Sequence, residues 1–443
     1  MGNRIANIEA ALHEMRQRFA IRKVSPLYET KPMYYEDQGS FINGACEVET
    51  DLDPISLLDA LQSIEDGLGR QHTINKGPRP IDLDVLLYNK QQFQHERLEI
   101  PHKLMHEREF VLRPLKDILP YAVVNSSALQ HPSTVMDLYI GLKNRDETMS
   151  PVTEVSHRLP LIRSMDPKRP TSIMAILNIT PDSFSDGGKF SSRDQKALKP
   201  NIGKIIAAGA TILDVGGQST RPHAKLISAE EELERILPVV RTIRKMPEAD
   251  GVAISVDTFY SEVAKGAIAE GADLINDISA GQMDPNMLST VANLSKTIVL
   301  MHMRGDPSTM TKLTDYPHGV VERVAQELSL RFQAALDAGI APWRIILDPG
   351  IGFAKNQDQN LELLRRLREL REHPVNLSGP PWLLGTSRKG FVGKVTGVAD
   401  AAARQFGTAA TVTASIAGGA DIVRVHDVKE MAEVVKMADA IYR

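Results

Sequence analysis

The chain has 443 residues, which at about 150 residues per domain predicts two or three domains. Apolar residues make up 42% and charged residues 24%, a globular composition that excludes long disorder, collagen-like repeats and a coiled-coil rod. The 52 Lys and Arg nearly balance the 56 Asp and Glu, and a net charge of −4 supplies no basic field for nucleic acid or an anionic membrane. The single cysteine, Cys46, excludes an intramolecular disulfide and is typical of a reducing compartment.

The sequence contains neither a candidate membrane span nor a recognisable targeting segment. No stretch approaches about 18 uninterrupted apolar residues. The opening residues, Met1 to Ile5, are typical of neither a signal peptide nor an Arg- and Ser-rich transit peptide. We therefore expect an intracellular protein, either cytoplasmic or mitochondrial.

The first 145 residues are predicted to form an α+β sandwich of the ferredoxin-like kind. The patterning predicts a helix over Ile5–Phe19, strands over Arg22–Tyr28, Phe41–Val48 and Asp82–Tyr88, and a helix after Asp53. Polar residues and prolines without periodicity then predict a linker over 146–168. The second domain is expected to cover 169–443.

The sharpest feature of the first domain is a pair of acidic residues in its last predicted strand. Asp82 and Asp84 would point to one face about 7 Å apart, with Leu83 and Val85 facing the core. Two adjacent carboxylates are costly without a cation, and paired Mg²⁺ ions bridging phosphates would satisfy them. An exposed edge strand with two solvated acids is the alternative.

Basic residues near this pair favour the metal and phosphate interpretation, because they could neutralise triphosphate oxygens. They are Arg70, Lys76, Arg79, His102 and Arg108. This half has no Walker A loop and no kinase-type Gly-rich loop, so a nucleotide would be held by metal and basic side chains.

The second domain alternates apolar runs of strand length with helical patterns. The runs are Ser172–Ile179, Thr211–Val215, Val252–Val256, Asp273–Ile275, Thr297–Met301, Arg344–Leu347, Trp382–Leu384 and Asp421–Val425. Between them, Glu231–Arg244 and Val320–Leu336 each place apolar residues on one helical face. Eight strand–helix units predict a TIM (β/α)8 barrel, and a doubly wound open sheet is the alternative.

Polar residues follow every one of these eight strands. They are Asn178, Asp214, Asp257, Asn276 with Asp277, His302, Asp348, Ser387 to Lys389, and Arg424 with His426. One such residue is more often a helix cap, but a complete set favours a functional rim where the strand ends of a barrel meet. The rim has no nucleophilic Cys and no Ser-His-Asp order, which argues against covalent acyl chemistry.

Two groups of rim residues suggest a ligand. Arg424 and His426 share one strand face about 7 Å apart and suit a phosphate or pyrophosphate, a structural Arg–Asp pair being the alternative. Carboxylates, an amide and a lysine from four strands can converge on a planar heterocycle. These are Asp257, Asn276, Asp348 and Lys389. Loops at 180–188 and 216–222, rich in small and polar residues, are predicted lids.

The same motifs carry a family resemblance. The run Ile176–Gly188 resembles the first signature of dihydropteroate synthase, and matching motifs recur through 214–222, 255–258, 275–277, 347–350, 387–389 and 424–427. The resemblance covers essentially all of 170–443. It implies condensation of hydroxymethyldihydropterin pyrophosphate with p-aminobenzoate, which gives dihydropteroate and pyrophosphate.

The resemblance also implies roles for individual residues. The pterin would be held by Asp257, Asn276, Asp348 and Lys389, and the pyrophosphate by Thr220, Arg221, Arg424 and His426. Asn178 would reach Mg²⁺, and the p-aminobenzoate pocket would be shaped by Phe184, Pro222 and Ser387. The residues expected to carry the chemistry are Asp257, Lys389, Arg424 and His426.

The first domain resembles hydroxymethyldihydropterin pyrophosphokinase. The resemblance lies in Gly77–Asp84, Ile100–His102 and Arg108–Leu115, and implies transfer of the β,γ-pyrophosphate of ATP to the pterin hydroxymethyl group with release of AMP. Asp82 and Asp84 would bind two Mg²⁺ ions. ATP would be contacted by Arg70, Arg79, His102 and Arg108, with Arg70 and Arg79 as catalytic residues. The pterin would be framed by Thr30, Phe41, Asn43 and Phe110, the last by stacking.

Met1–Arg4 follows directly where that family has a short apolar strand ending in Gly-Ser-Asn. We expect either an upstream start with Met1 internal, which we favour, or a degenerate kinase half. The fused pair resembles the folate enzymes of fungi and plants, and the fungal ones carry an aldolase domain ahead. A methyl-transferring pterin barrel and a non-catalytic pterin-binding protein are the alternatives. The expected partners are small-molecule substrates and, by resemblance, a second copy bound through the barrel.

Overall fold

The computed structural model describes residues 3–31, 39–69, 80–146, 149–180, 195–221, 224–373 and 379–443. The chain divides into two compact units, Met1–Val152 and Thr153–Arg443. The extents of the domains and of the 146–168 linker stay predictions. None of the helices within the described ranges is long and apolar enough to cross a bilayer.

The first unit mixes helices with short antiparallel strands. Its helices are α1 (Arg4–Arg16), α2 (Pro54–Gly67), α3 (Glu109–Ile118) and α4 (Val135–Gly141). Its strands are β1 (Ala20–Val24), β2 (Leu27–Thr30), β3 (Phe41–Asn43), β4 (Cys46–Glu49), β5 (Phe93–His95), β6 (Leu98–Ile100), β7 (Val123–Val124), β8 (Ser133–Thr134) and β9 (Ser150–Thr153). Strand β2 pairs with β3 and β9, while β1 pairs with β4, β5 with β6 and β7 with β8. The predicted α+β class is confirmed.

Two long strands predicted for this unit are each broken in the middle. Strands β1 and β2 are separated at Ser25–Pro26, since Pro26 has no N–H to donate to a ladder. Strands β3 and β4 are separated at Gly44–Ala45, where Ser25 Oγ accepts from the Ala45 N–H at 2.9 Å. The helix predicted after Asp53 is confirmed, because the Asp53 carboxylate caps α2 by accepting from two backbone N–H groups.

The strand predicted over Asp82–Tyr88 is wrong as secondary structure. The described residues 81–88 join no strand ladder because their backbone takes other partners. The Leu83 N–H donates to the Glu65 side chain at 2.7 Å, and the Leu86 carbonyl accepts from the His102 N–H at 2.9 Å. The predicted alternation survives this correction, since Asp82 and Asp84 are exposed and Val85 is buried.

The second unit has eight parallel strands in a ring. They are β11 (Ser172–Asn178), β12 (Ile212–Gly216), β13 (Ala253–Asp257), β14 (Leu274–Asp277), β15 (Thr297–Met301), β16 (Ile345–Asp348), β17 (Leu383–Leu384) and β18 (Ile422–Val425), after a short β10 (Ile162–Arg163). Neighbours follow the order β16-β15-β14-β13-β12-β11-β18-β17, and a parallel bridge between Leu347 and Trp382 joins the two ends. The predicted barrel is therefore confirmed and the open sheet is excluded.

Helices surround the ring. They are α5 (Gln195–Ala207), α6 (Ala229–Arg244), α7 (Ser261–Ala269), α8 (Met287–Leu294), α9 (Val320–Asp337), α10 (Gln357–Arg365), α11 (Leu367–Arg371), α12 (Gly390–Thr396), α13 (Gln405–Ala417) and α14 (Val428–Tyr442). Their buried faces pack on the outward residues of the strands, so the apolar periods at Glu231–Arg244 and Val320–Leu336 are confirmed as α6 and α9.

The interior of the barrel changes character along its axis. Its lowest layer takes one apolar residue from each strand: Met174, Ile212, Ala253, Leu274, Val299, Ile346, Leu383 and Ile422. Side chains alternate along a strand, so the next inward position lies two residues further on. Those positions include Asp214, Ser255, Asn276, Asp348 and Arg424. A dry floor thus supports a polar layer just below the strand ends.

Candidate active site

Arg424 is the hub of the polar layer. Its Nε donates to Asp214 Oδ2 at 2.6 Å and its Nη2 donates to Asp257 Oδ2 at 2.6 Å. Asp214 is fully buried and Asp257 is 8% exposed, so both carboxylates depend on this guanidinium for charge compensation. The structural Arg–Asp pair weighed for Arg424 is thus part of the observed geometry, and it faces the barrel mouth.

Asp257 and Asn276 lie side by side on adjacent strands. Burial raises the pKa of Asp257 to about 7, although Arg424 lowers it, and Asn276 Nδ2 lies 3.3 Å from Asp214 Oδ2. The buried Oδ1 atoms of Asp257 and Asp214 and the Ser255 Oγ find no hydrogen-bond partner among the described residues. Such unsatisfied buried oxygens suit a ligand that presents N–H donors.

Lys389 and Asp348 bring opposite charges to the other side of the mouth. Burial lowers the pKa of Lys389 to about 8, while Asp348 raises it. Burial also raises the pKa of Asp348, against the effect of Lys389. Lys389 Nζ donates to the Ile351 carbonyl and lies 4.6 Å from the centroid of the Phe353 ring. The four residues predicted to meet a heterocycle therefore border the same polar layer.

A cationic group borders this layer at the end of β18. His426 Nδ1 lies 3.0 Å from Ser387 Oγ, and burial together with Arg388 and Arg424 lowers the pKa of His426 to about 3. The exposed Arg221 also lowers that pKa by its charge. Arg388 is held by Asp427 through a two-pronged contact of 3.0 and 2.5 Å. Neutral histidine flanked by arginines suits an anion, as predicted for Arg424 and His426.

Some residues with a place in this site were missed or left without a role. Asp214 stood among the predicted strand ends, and the period-two alternation could have identified it as inward-facing beside Arg424. Glu232 on α6 is fully buried, accepts from Gln218 Nε2 at 2.7 Å, and has its pKa raised to about 8 by burial and then by Asp257. No sequence pattern distinguishes it from its acidic neighbours.

In the first unit, the predicted pterin residues form one group and the nucleotide residues another. Asn43 Nδ2 donates to Thr30 Oγ1 at 2.8 Å, and the half-exposed Phe41 lies opposite Thr30 across β2 and β3. The Arg108 guanidinium lies 5.6 Å from the centroid of the Phe110 ring. His102 is half-buried beside the segment that bears the acidic pair.

Four predicted site residues lie outside the described residues: Arg70, Arg79, Phe184 and Pro222. The lid predicted over 180–188 also lies almost wholly outside them, as does Lys76. Thr220 is half-buried at the end of the described part of the second lid. The roles of all these residues stay predictions.

The chemistry of the side chains fits the predicted magnesium ions. Asp82 and Asp84 offer two exposed carboxylates in the first unit, and Asn178 offers an amide oxygen at the end of β11 in the second. The described residues contain no group of three or more His, Cys, Asp or Glu arranged for a metal. Mg²⁺ commonly takes one or two protein oxygens and completes its shell with water and substrate phosphates, so these sparse donor sets suit it.

Comparison with known proteins agrees with both halves. Residues 174–426 match the family model described as pterin binding enzyme, and residues 1–120 match that of 7,8-dihydro-6-hydroxymethylpterin-pyrophosphokinase. The mitochondrial folate synthesis bifunctional protein of Arabidopsis thaliana is 43% identical over the whole chain, which covers 82% of that protein. The dihydropteroate synthase of Xanthomonas albilineans, solved with 4-aminobenzoic acid, is 36% identical with a TM-score of 0.56, over 66% of this chain and 98% of that one.

The closed barrel and its polar mouth define a pterin-binding (β/α)8 enzyme preceded by an α+β unit. The chain belongs to the pterin binding enzyme family, and within it to the folate synthesis proteins that join a pyrophosphokinase to a dihydropteroate synthase. The folic acid synthesis protein of Schizosaccharomyces pombe is 47% identical over all of this chain. The chain spans 58% of that protein's length and 59% of the length of its Pneumocystis carinii counterpart.

Proposed function

We propose that the two units catalyse consecutive steps of folate synthesis. The first unit transfers the β,γ-pyrophosphate of ATP to 6-hydroxymethyl-7,8-dihydropterin and releases AMP. The second condenses the resulting pyrophosphate ester with p-aminobenzoate and releases pyrophosphate. The observation that carries the proposal is the polar layer of the barrel, where Arg424 bridges two buried aspartates beneath unsatisfied carboxylate oxygens.

The pterin ring is recognised by hydrogen bonding. The buried carboxylates of Asp257 and Asp348 accept from its amino and ring N–H groups, while Asn276 and the Lys389 ammonium donate to its acceptors. The dry floor of the barrel prevents water from competing for these groups. Because Arg424 already holds Asp257 and Asp214 in place, little reorganisation accompanies substrate binding.

The condensation requires loss of pyrophosphate and gain of an amine. The C–O bond between the pterin methylene and the pyrophosphate breaks, the amine nitrogen of p-aminobenzoate forms the new C–N bond, and that nitrogen loses a proton. Arg424, Arg221 and neutral His426 stabilise the departing oxygens, and we expect departure to run ahead of amine attack. Mg²⁺ held with the help of Asn178 supplies additional positive charge for the pyrophosphate when bound. Thr220, Phe184, Pro222 and Ser387 are the proposed contacts for the remaining substrate groups.

The kinase step depends on positioning and charge. Asp82 and Asp84 are the proposed ligands of two Mg²⁺ ions that neutralise the triphosphate. Arg70, Arg79, His102 and Arg108 are proposed to contact ATP, and Thr30, Phe41, Asn43 and Phe110 to hold the pterin. We also propose a homodimer formed through the barrel and an intracellular location, in the cytoplasm or in mitochondria as in the Arabidopsis relative.

A coupled assay tests both activities on the same chain. Hydroxymethyldihydropterin, ATP and Mg²⁺ are supplied first and AMP is measured, then p-aminobenzoate is added and dihydropteroate is measured. Both products are expected. Dihydropteroate formed only from preformed pterin pyrophosphate would identify a degenerate kinase half, and absence of dihydropteroate from either substrate would refute the synthase proposal.

A further inference from the structure

A buried lysine lies behind the barrel mouth, outside the set proposed to contact substrate. Lys355, 8% exposed, follows the loop that leaves β16. Its Nζ lies 3.0 Å from the Gly350 carbonyl and 2.9 Å from the Phe353 carbonyl. It also lies 2.9 Å from Nδ1 of His302, which follows the neighbouring strand β15. Three acceptors therefore surround one amine.

The hydrogen-bond partners assign the protons in this cluster. Burial raises the pKa of Glu327, but hydrogen bonds from His302 and Arg304 outweigh that effect and lower it to about 2. An ionised carboxylate only accepts, so His302 Nε2, 2.9 Å from Glu327 Oε2, must carry a proton and donate. Burial and Lys355 lower the pKa of His302 to about 4, which keeps the ring neutral and leaves Nδ1 as an acceptor. Lys355 must then donate to all three acceptors, which only an ammonium can do.

The loop that Lys355 holds is bonded to two proposed pterin-binding groups. The Gly350 N–H donates to Asp348 Oδ1 at 2.7 Å. The Ile351 carbonyl accepts from Lys389 Nζ, and the Phe353 ring lies against the same ammonium. The backbone also approaches β15 closely, since a Cβ on Gly350 would lie 2.0 Å from the His302 carbonyl oxygen. The loop is therefore shaped by contacts on both sides.

We infer that Lys355 is a positioning residue for the pterin, acting through this loop on Asp348 and Lys389. The inference rests on the proposed synthase function. Loss of the three-way ammonium contact would leave the Gly350 and Phe353 carbonyls buried without a donor, so the loop would shift and both pterin-binding groups would shift with it. None of these contacts involves Ser387, Arg221 or Thr220, so binding of p-aminobenzoate and pyrophosphate is expected to change little.

The test compares the KM values for the two substrates in the full chain carrying Lys355→Met. We expect kcat/KM for the pterin pyrophosphate to fall by about 10- to 100-fold, the scale of a sub-ångström to 1 Å misplacement, with the KM for p-aminobenzoate within about twofold of wild type. Lys394→Met, the same change at an exposed position on α12, is the matched control and should match wild type. A loss of folding alone would lower kcat without separating the two KM values.

A second pair of variants covers the case in which Lys355→Met does not fold. His302→Gln retains one acceptor and one donor and should keep most of the pterin affinity, whereas His302→Leu retains neither and should lose it. The ¹⁵N shifts of His302 in the wild-type chain should show protonated Nε2 and bare Nδ1 from pH 6 to 8. Equal shifts in both KM values, or a protonated Nδ1, would overturn the inference while leaving the synthase proposal intact. A wild-type chain that forms no dihydropteroate would refute both.

Discussion

Replacement of Arg424 by alanine should both inactivate the synthase and make its stability depend on pH. The change removes two contacts of 2.6 Å and leaves Asp214 and Asp257 buried beside each other without their cation. Breaking a buried ion pair by removing one partner costs about 3–5 kcal/mol. Removal of a preorganised group that stabilises departing charge is expected to lower kcat by about 100- to 1,000-fold.

The pH dependence follows from the carboxylates that remain. The pKa of Asp257 is already raised to about 7 with Arg424 present, and removal of the guanidinium raises it further. A carboxyl whose pKa is higher in the folded than in the unfolded state makes the fold less stable as pH rises between those two values. Arg424→Ala should therefore be close to wild type in stability near pH 5 and lose most at pH 8, with Tm lower there by roughly 10 °C.

Thermal unfolding at pH 5 and pH 8, followed by circular dichroism, measures the stability difference, and dihydropteroate formation measures activity. Arg424→Lys is the matched control. It keeps one charge but not the two-pronged geometry, so it should recover part of the stability at pH 8 and little activity. An equal loss of Tm at both pH values, or wild-type kcat in Arg424→Ala, would refute the reasoning.

The remaining predictions concern other buried or paired charges. Lys389→Ala should abolish dihydropteroate formation, and in the wild type kcat/KM for the pterin substrate should fall as pH rises past about 8, where the Lys389 ammonium loses its proton; a flat profile up to pH 9.5 would contradict that role. Asp82→Ala combined with Asp84→Ala should remove Mg²⁺-dependent AMP release and leave synthesis from preformed pterin pyrophosphate unchanged, whereas continued AMP release would exclude these residues as the metal ligands. Glu232→Gln should be more stable than wild type at pH 8.5 and nearly equal to it at pH 5, because the raised pKa of about 8 makes the native fold lose stability as pH rises above 4.5; urea unfolding at both pH values measures the difference, and an equal midpoint shift at both would count against a buried neutral acid.

Much of the barrel could be predicted from sequence because each of its strands is an apolar run followed by a polar residue. Parallel strands buried on both faces read as continuous hydrophobic segments, and the helices between them have a period that α6 and α9 confirm. The first unit was harder. Its strands are short, and interruptions such as Ser25–Pro26 and Gly44–Ala45 divide runs that look continuous in the sequence.

The residue types and order of the rim were determined by the sequence alone. Strand–helix alternation dictates a parallel ring, and a parallel ring brings all carboxyl ends to one side, so residues far apart along the chain were expected at one mouth. The alternation of Asp82, Leu83, Asp84 and Val85 likewise followed from the pattern of apolar and acidic residues, even though no strand forms there.

Only the tertiary structure decided which charges meet. A sequence gives the height of a residue on its strand but not the shear of the barrel, so it could not show that Arg424 contacts both Asp214 and Asp257. Nor could it show that Lys355 lies beneath the β16 loop against His302, because that contact depends on how a loop folds back onto the neighbouring strand. Burial, which sets the pKa values and the cost of each lost contact, is a property of the packed barrel and is not encoded at any single position.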